Sequence, residues 1–180
     1  MLRLYLAGAA AVGKTTTASM LGRLLNMPWI EVEAEHCWNL DSPEERQTCF
    51  LETFKSIIRS QKRGFFTNHV LTVYAYSAVL GVPHVAEKAL TLALRDKEHL
   101  VVLAAEPKVI AARIQKRLSR EALRRRNVVE EQLALHVSAQ RALLEVAARY
   151  HIPVIDTSWL SPRQVAEKIA SIVMRGARVA

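Results

Sequence analysis

The segment Gly8-Ala9-Ala10-Ala11-Val12-Gly13-Lys14-Thr15 matches the pattern G-x-x-x-x-G-K-[ST] at every fixed position. The apolar run Leu2–Ala7 precedes it and the helical pattern Thr16–Leu25 follows it, which is the strand, turn and helix context that the motif requires. Glycine lets the backbone turn tightly, and the amides at a helix amino terminus attract phosphate oxygens. The segment therefore predicts a binding site for a nucleoside triphosphate.

This motif also predicts what each part of the segment does. The Lys14 ammonium is expected to reach the β- and γ-phosphates and to act in catalysis, and the Thr15 hydroxyl is expected to hold Mg²⁺. ATP and Mg²⁺ are therefore the expected cofactors. The residues expected to contact the nucleotide are Gly8, Ala9, Ala10, Ala11, Val12, Gly13, Lys14, Thr15 and Thr16.

Length and composition predict one globular domain that spans residues 1–180. Half of the residues are hydrophobic, 51%, which is too many for a disordered chain. No apolar run has the length that a membrane span needs, and the amino terminus resembles a strand rather than a signal peptide. We therefore expect a cytoplasmic protein without membrane contact. Cys37 and Cys49 show neither zinc spacing nor a disulfide framework, so we expect buried or idle thiols.

Basic residues are concentrated in one segment. The net charge is +8, and the segment from Arg113 to Arg126 is rich in Lys and Arg with Glu121 as its single carboxylate. Such a block beside a phosphate site favours a polyphosphate ligand over nucleic acid, which we do not expect as a partner. We interpret residues 113–127 as a small basic lid over the transferring phosphoryl group. The alternative is an ordinary solvated helix face.

Strand and helix patterns alternate five times along the chain. This alternation predicts a three-layer α/β fold, in which a five-stranded parallel sheet is covered by helices on both faces. Ligands of such sheets bind at the carboxyl ends of the strands. The predicted strands are Leu2–Ala7, Trp29–Glu33, Phe65–Asn68, His99–Ala105 and Ile152–Asp156.

Three glutamates alternate at the end of the second predicted strand. Glu31, Glu33 and Glu35 share one strand face if the strand extends that far. A carboxylate at this position, beside the phosphate site, can orient or deprotonate an attacking hydroxyl, and Glu33 is the best placed. The alternative is a solvated acid in a loop.

The chain resembles the deoxynucleoside kinase family at several motifs in order. After the phosphate loop, Glu33 and Trp38 match a Glu-Pro-x-x-x-Trp motif, with Ala34 in place of the proline. The segment Glu52-Thr53-Phe54 with Arg59 is similar to a Phe-Gln-x-Tyr…Arg helix that lines the nucleoside pocket. Arg113-Ile114-x-x-Arg117, followed by Glu121, resembles the lid motif. The resemblance implies an ATP-dependent kinase with a P-loop kinase fold and a nucleoside acceptor.

The resemblance also implies roles for these residues. Glu33 would be the base for the sugar hydroxyl, and Arg113 and Arg117 would stabilise the transferring phosphoryl. The remaining residues implied in substrate binding are Trp38, Glu52, which stands where a glutamine pairs with the base, Arg59, and Glu121, near the position of an acid that contacts the sugar.

Two departures keep other functions open. The third strand ends in Thr67-Asn68-His69, where the family has an acid that helps hold Mg²⁺ and an arginine that meets phosphate. Ala11 or Val12 stands where the usual middle glycine would be. A nucleoside monophosphate kinase of the thymidylate kinase type is the first alternative, with Arg59 or another arginine on the acceptor phosphate. A nucleotide-binding switch or NTPase is the second. The sequence leaves open whether the chain forms a homodimer.

Overall fold

The computed structural model describes residues 3–31, 34–59, 64–117 and 126–176. Its strands are β1 (Arg3–Ala7), β2 (Trp29–Ile30), β3 (Gly64–Phe66), β4 (Leu100–Ala104) and β5 (Val154–Asp156). Its helices are α1 (Lys14–Leu25), α2 (Pro43–Arg59), α3 (Val70–Val79), α4 (Pro83–Arg95), α5 (Pro107–Arg117), α6 (Arg126–Tyr150) and α7 (Pro162–Gly176). The strands form one parallel sheet in the order β2-β3-β1-β4-β5. The predicted five-stranded parallel α/β fold is confirmed.

Alternate residues of the central strands supply two hydrophobic cores, one on each face of the sheet. Leu4 and Leu6 of β1 face a core that is completed by α1, α5 and α7. Tyr5 and Ala7 face the opposite core, which is completed by α2, α3, α4 and α6. Because both faces are covered, the inner strands are almost continuously apolar, as expected for parallel sheets.

Local sequence signals explain where two of the helices begin. At α2, the Glu45 amide donates to Ser42 Oγ at 3.1 Å, and Glu45 Oε2 accepts from the Ser42 amide at 3.1 Å. Ser161 and Gln164 make the same reciprocal pair at the start of α7. These capping boxes satisfy amides that have no partner within the helix, and so they determine where both helices begin.

Cys37 and Cys49 form a disulfide, so the expectation of buried or idle thiols is wrong, because neither cysteine is a free thiol. After β2 the chain makes a 3₁₀ turn, Glu35–Asn39, which sequence periodicity did not predict, and then folds back along α2. This reversal brings the two Cα atoms to 5.6 Å, within the distance that a disulfide requires. The bond therefore ties the 3₁₀ turn to the middle of α2.

Strand order determines where the chain can bind a ligand. The order of the strands reverses at β1. The chain first passes through α1 to β2 on one side of this strand, whereas β4 and β5 lie on the other side. The carboxyl end of β1 is therefore the switch point at which parallel sheets bind ligands, and residues 8–15 begin there.

The predicted lid includes residues 118–125, which lie outside the described residues. Among the described residues, no helix has the length and hydropathy needed to cross a membrane.

Candidate active site

The loop after β1 is shaped by two glycines and one strained alanine. A Cβ atom on Gly8 would lie 2.7 Å from Val12 Cγ2 and 2.8 Å from the carbonyl oxygen of Leu103, so position 8 has no room for a side chain. Gly13 has a φ of 98°, and Ala11 adopts a left-handed φ of 62° where the middle glycine is missing. The loop thus turns at both of these positions and delivers the chain to the amino terminus of α1.

Lys14 lies across this loop. Its Nζ donates to the carbonyl oxygens of Gly8 at 2.9 Å and Ala9 at 2.8 Å. The ammonium therefore sits at the amino end of α1, where the partial charge of the helix also favours an anion. This arrangement has the charge that a triphosphate needs.

Thr15 is paired with a carboxylate from the next strand. Its hydroxyl donates to Glu31 Oε1 at 2.9 Å, and Glu31 follows directly after β2. A hydroxyl and a carboxylate at this distance are the hard oxygen ligands that Mg²⁺ prefers, so the donor set fits this ion. Glu31 thus places an acid beside Thr15, although the end of β3 carries Asn68 in place of the expected acid.

One cavity lies on the α2, α3 and α6 side of the loop and has a volume of about 660 Å³. We call it the aromatic cavity. Its walls combine apolar side chains, three amides, polar groups of α3 and α6, and residues from the phosphate loop and its surroundings: Trp38, Phe50, Phe54, Val73, Leu80, Leu135, Ala34, Gln47, Asn68, Gln132, Thr72, Tyr76, His136, Gly8, Ala10, Lys14 and Glu31. Trp38 packs edge-on against Phe50, with ring centroids 4.9 Å apart. A molecule in this cavity would face the Lys14 end of the loop.

A second cavity of about 340 Å³ lies on the α5 and α7 side of the same loop. We call it the Arg113 cavity. It is lined by Ala11, Val12, Gly13, Thr16, Thr17, Arg113, Lys116, Thr157, Leu160, Pro162 and Val165. Arg113 donates to the carbonyl oxygens of Ala11 at 3.1 Å and Thr157 at 3.0 Å, which fastens the phosphate loop to the segment after β5. Two cavities thus open on opposite sides of one loop.

Most of the predicted phosphate-loop residues are brought together, whereas several acceptor-side residues are not. Trp38 lies on the aromatic cavity and is 64% exposed. Glu52 instead pairs with Lys55 at 2.9 Å, and Arg59 is exposed at the end of α2; neither lines either cavity. Arg117 is the last residue of α5, while Glu33 and Glu121 lie outside the described residues.

Sequence reasoning missed Gln47 and His136 as cavity residues. Gln47 occupies the same face of α2 as Phe50 and Phe54, at positions i, i+3 and i+7, so helical spacing could have identified it. Glu52 is five residues after Gln47, which turns it away from that face. His136 lies far along the chain in α6 and has no local signal that would connect it to the loop.

The parallel sheet and the phosphate loop after β1 together define a P-loop nucleotide-binding protein, the class to which the predicted motif belongs. The family model described as shikimate kinase matches residues 10–174. The chain belongs to this family. No curated protein matches the chain in a sequence search.

Solved structures of several kinases share the fold. Deoxyadenosine kinase from M. mycoides is 14% identical, with a TM-score of 0.68 and coverage of 96% of this chain and 98% of that one. Shikimate kinase from Aquifex aeolicus is 18% identical, with a TM-score of 0.57 and coverage of 99% and 100%. Thymidylate kinase from Candida albicans is 14% identical, with a TM-score of 0.64 and coverage of 97% and 91%.

These comparisons confirm the predicted class of P-loop kinases. Within this class they indicate a different family from the one that the sequence motifs resemble. The resemblance to deoxynucleoside kinases is not confirmed at the family level, because the matching family is that of shikimate kinase. The solved structures have low identities, so they support the shared fold and leave the acceptor open.

Proposed function

We propose that this chain transfers the γ-phosphoryl group of ATP to a hydroxyl of a neutral, ring-containing acceptor, of which a nucleoside is the best representative. One observation carries the proposal: the aromatic cavity offers flat apolar walls and three amides beside the phosphate loop. Aromatic rings stack well on planar bases, and amides read their hydrogen-bonding edges.

The charges in this cavity argue against an anionic acceptor. Among the described residues that line it, Lys14 is the single Lys or Arg, and this ammonium is already committed to the phosphate loop. Burial, helped by nearby Lys14, lowers the pKa of His136, which keeps its imidazole neutral at physiological pH. Among the described lining residues, a carboxylate or a monophosphate would therefore find no arginine to pair with it.

Each side of the loop has a role in this proposal. The Arg113 cavity takes the adenosine end of ATP, where Arg113 also holds the loop in position. Thr15 and Glu31 would hold Mg²⁺, which would supply positive charge against the phosphates of ATP. Lys14 contacts the transferring group. Arg117, in the predicted lid, stabilises its charge, and Glu33 orients the acceptor hydroxyl, as the sequence motifs imply.

Shikimate is the second candidate acceptor, because the chain belongs to the shikimate kinase family. ADP release should be measured with nucleosides, thymidine monophosphate and shikimate supplied separately. We expect a nucleoside to stimulate release. Stimulation by shikimate or by the monophosphate alone would overturn the proposed acceptor, and ADP release or ATP binding without any acceptor dependence would favour a nucleotide switch.

Trp38 supplies a matched test of the acceptor site. Stacking of a base on an aromatic ring is worth about 1–3 kcal/mol, so Trp38→Leu should raise the acceptor KM by about tenfold and leave the KM for ATP unchanged. Trp159→Leu is the control, because Trp159 is 71% exposed and lines neither cavity. Equal effects of the two substitutions would remove Trp38 from the acceptor site.

A further inference from the structure

Three groups from distant parts of the chain meet where the phosphate loop borders the aromatic cavity. The Ala10 amide donates to the Tyr76 hydroxyl at 3.0 Å, and this hydroxyl lies 2.8 Å from His136 Nδ1. The two rings also pack edge to face, with centroids 5.8 Å apart. Tyr76 belongs to α3 and His136 to α6, so one hydroxyl connects the loop with two walls of the cavity.

One placement of the protons satisfies all of these contacts in the absence of a ligand. A tyrosine hydroxyl has one hydrogen, and its oxygen accepts the Ala10 N–H; we assign that hydrogen to the contact with His136, whose Nδ1 then accepts it. Burial raises the pKa of Tyr76 to about 12, so the hydroxyl keeps this hydrogen. The imidazole is neutral, since burial and Lys14 lower its pKa. With Nδ1 as the acceptor, this neutral ring carries its hydrogen on Nε2.

A phosphate oxygen at the loop would reverse this pattern. Phosphate oxygens only accept hydrogen bonds, and the loop amides, Ala10 among them, are the donors that such a site offers. Once the Ala10 N–H turns to phosphate, a Tyr76 lone pair would face an anion, which is unfavourable. Rotation of the O–H bond toward the phosphate turns that repulsion into a hydrogen bond. The oxygen lone pair then faces His136 Nδ1, which must carry a hydrogen to match it.

We propose that Tyr76 and His136 form a relay that reports phosphate binding at the loop to the aromatic cavity. On binding, His136 Nδ1 takes a proton from solvent and Nε2 releases one to solvent, so the ring stays neutral and Tyr76 keeps its hydrogen. Nε2 thereby changes from a hydrogen-bond donor into an acceptor. It can then accept a hydrogen bond from the hydroxyl of the second substrate. The relay rests on the part of the proposed function that places a nucleoside triphosphate at this loop.

Nitrogen-15 NMR of the histidine side chains tests the relay without any acceptor. The His136 signals are assigned by their loss in His136→Gln, and Mg²⁺ with β,γ-methylene-ATP is then added to the wild-type protein. We expect the Nδ1 resonance to move from the unprotonated to the protonated range, and Nε2 to move in the opposite direction. A purely structural Tyr76–His136 contact would leave both resonances in their original ranges.

Two variants separate the relay from general effects on the fold. Tyr76→Phe should bind the analogue, measured by calorimetry, but lose the exchange between the two nitrogens. Tyr74→Phe, on the same helix, should keep the exchange. If the analogue binds to the wild-type protein and His136 keeps its Nε2–H, the relay is wrong and the kinase proposal stands. If the analogue does not bind at all, both proposals are overturned.

Discussion

At the scale of single residues, Lys14 carries the charge that phosphoryl transfer needs. Its ammonium lies on the loop carbonyl oxygens at the start of α1. Lys14→Ala should lower the rate of ADP release by about 10²–10³-fold, as loss of a transition-state donor does, with little change in Tm. Lys55→Ala is the control, since Lys55 pairs with exposed Glu52 on the surface. A Lys14→Ala protein with nearly normal turnover would contradict the proposed chemistry.

Glu31 is the second residue whose role is defined by a single contact. Glu31→Gln keeps an oxygen that can accept the Thr15 hydroxyl, so the loop should retain its shape, but it removes the negative charge that attracts Mg²⁺. We expect the Mg²⁺ concentration for half-maximal activity to rise by about tenfold, equivalent to about 1.4 kcal/mol. A titration of ADP release with Mg²⁺ measures this change.

Glu44→Gln is the matched control for Glu31→Gln. Glu44 is exposed and contacts His84 at 3.2 Å, away from the phosphate loop. The control should leave the Mg²⁺ requirement unchanged. Unaltered Mg²⁺ dependence in Glu31→Gln would show that Thr15 and Glu31 do not hold the ion together.

At the scale of elements, the disulfide joins the 3₁₀ turn to α2 and so supports one wall of the aromatic cavity. The cysteines are 12 residues apart, and a bridge of this size typically contributes about 2–4 kcal/mol to stability. A dithiol reductant should therefore lower Tm by about 4–16 °C. It should also raise the acceptor KM, because Trp38 is the neighbour of Cys37, and leave the KM for ATP unchanged.

A variant without the bridge controls for other effects of the reductant. The double variant Cys37→Ser and Cys49→Ser should behave like the reduced protein and should no longer respond to the dithiol. An unchanged Tm after reduction of the wild-type protein, with both thiols shown to be free, would contradict the structural role of the bridge.

Helices and strands were more predictable from the sequence than the contacts between them. Capping residues and apolar periodicity are local, so the starts of α2 and α7 and the strand β4 could be identified directly. The phosphate loop is also contiguous in sequence, which made it predictable. The Cys37–Cys49 bridge and the Tyr76–His136 pair depend on how distant segments pack, and nothing in the local sequence encodes that packing.

At the scale of the whole molecule, the sheet separates the two proposed substrates. The aromatic cavity opens on the face covered by α2, α3 and α6, and the Arg113 cavity lies among α1, α5 and α7. The loop after β1 lines both cavities, so their contents can meet there. The order of the strands, with β1 in the centre, therefore positions the two proposed substrates on either side of the phosphate loop.

Folding also buries His69, and the cost of that burial predicts how stability depends on pH. His69 precedes α3, where its Nδ1 accepts the Leu71 amide at 3.3 Å, and its ring lies 4.7 Å from that of Tyr5. Its Nε2 is buried and has no hydrogen-bond partner among the described residues. Burial lowers the pKa of His69 to about 3 from an ordinary value of 6.5. Between about pH 3 and pH 6.5, the unfolded chain therefore binds a proton at His69 that the native chain does not bind.

The sign of the effect follows from this difference. The contribution of His69 to the free energy of unfolding is fully present above pH 6.5. It decreases as the pH falls from 6.5 toward 3, by up to about 1.4 kcal/mol per pH unit. Urea unfolding at pH 7.5 and pH 5.0 should therefore differ by about 2 kcal/mol in the free energy of unfolding. His136, whose pKa is also lowered, adds to the same trend, so His136→Gln should be measured in parallel.

His69→Asn keeps an acceptor for the Leu71 amide without a titrating ring, and it should remove most of the pH dependence. If His69→Asn and the wild-type protein lose equal stability between these two pH values, His69 is not the group responsible.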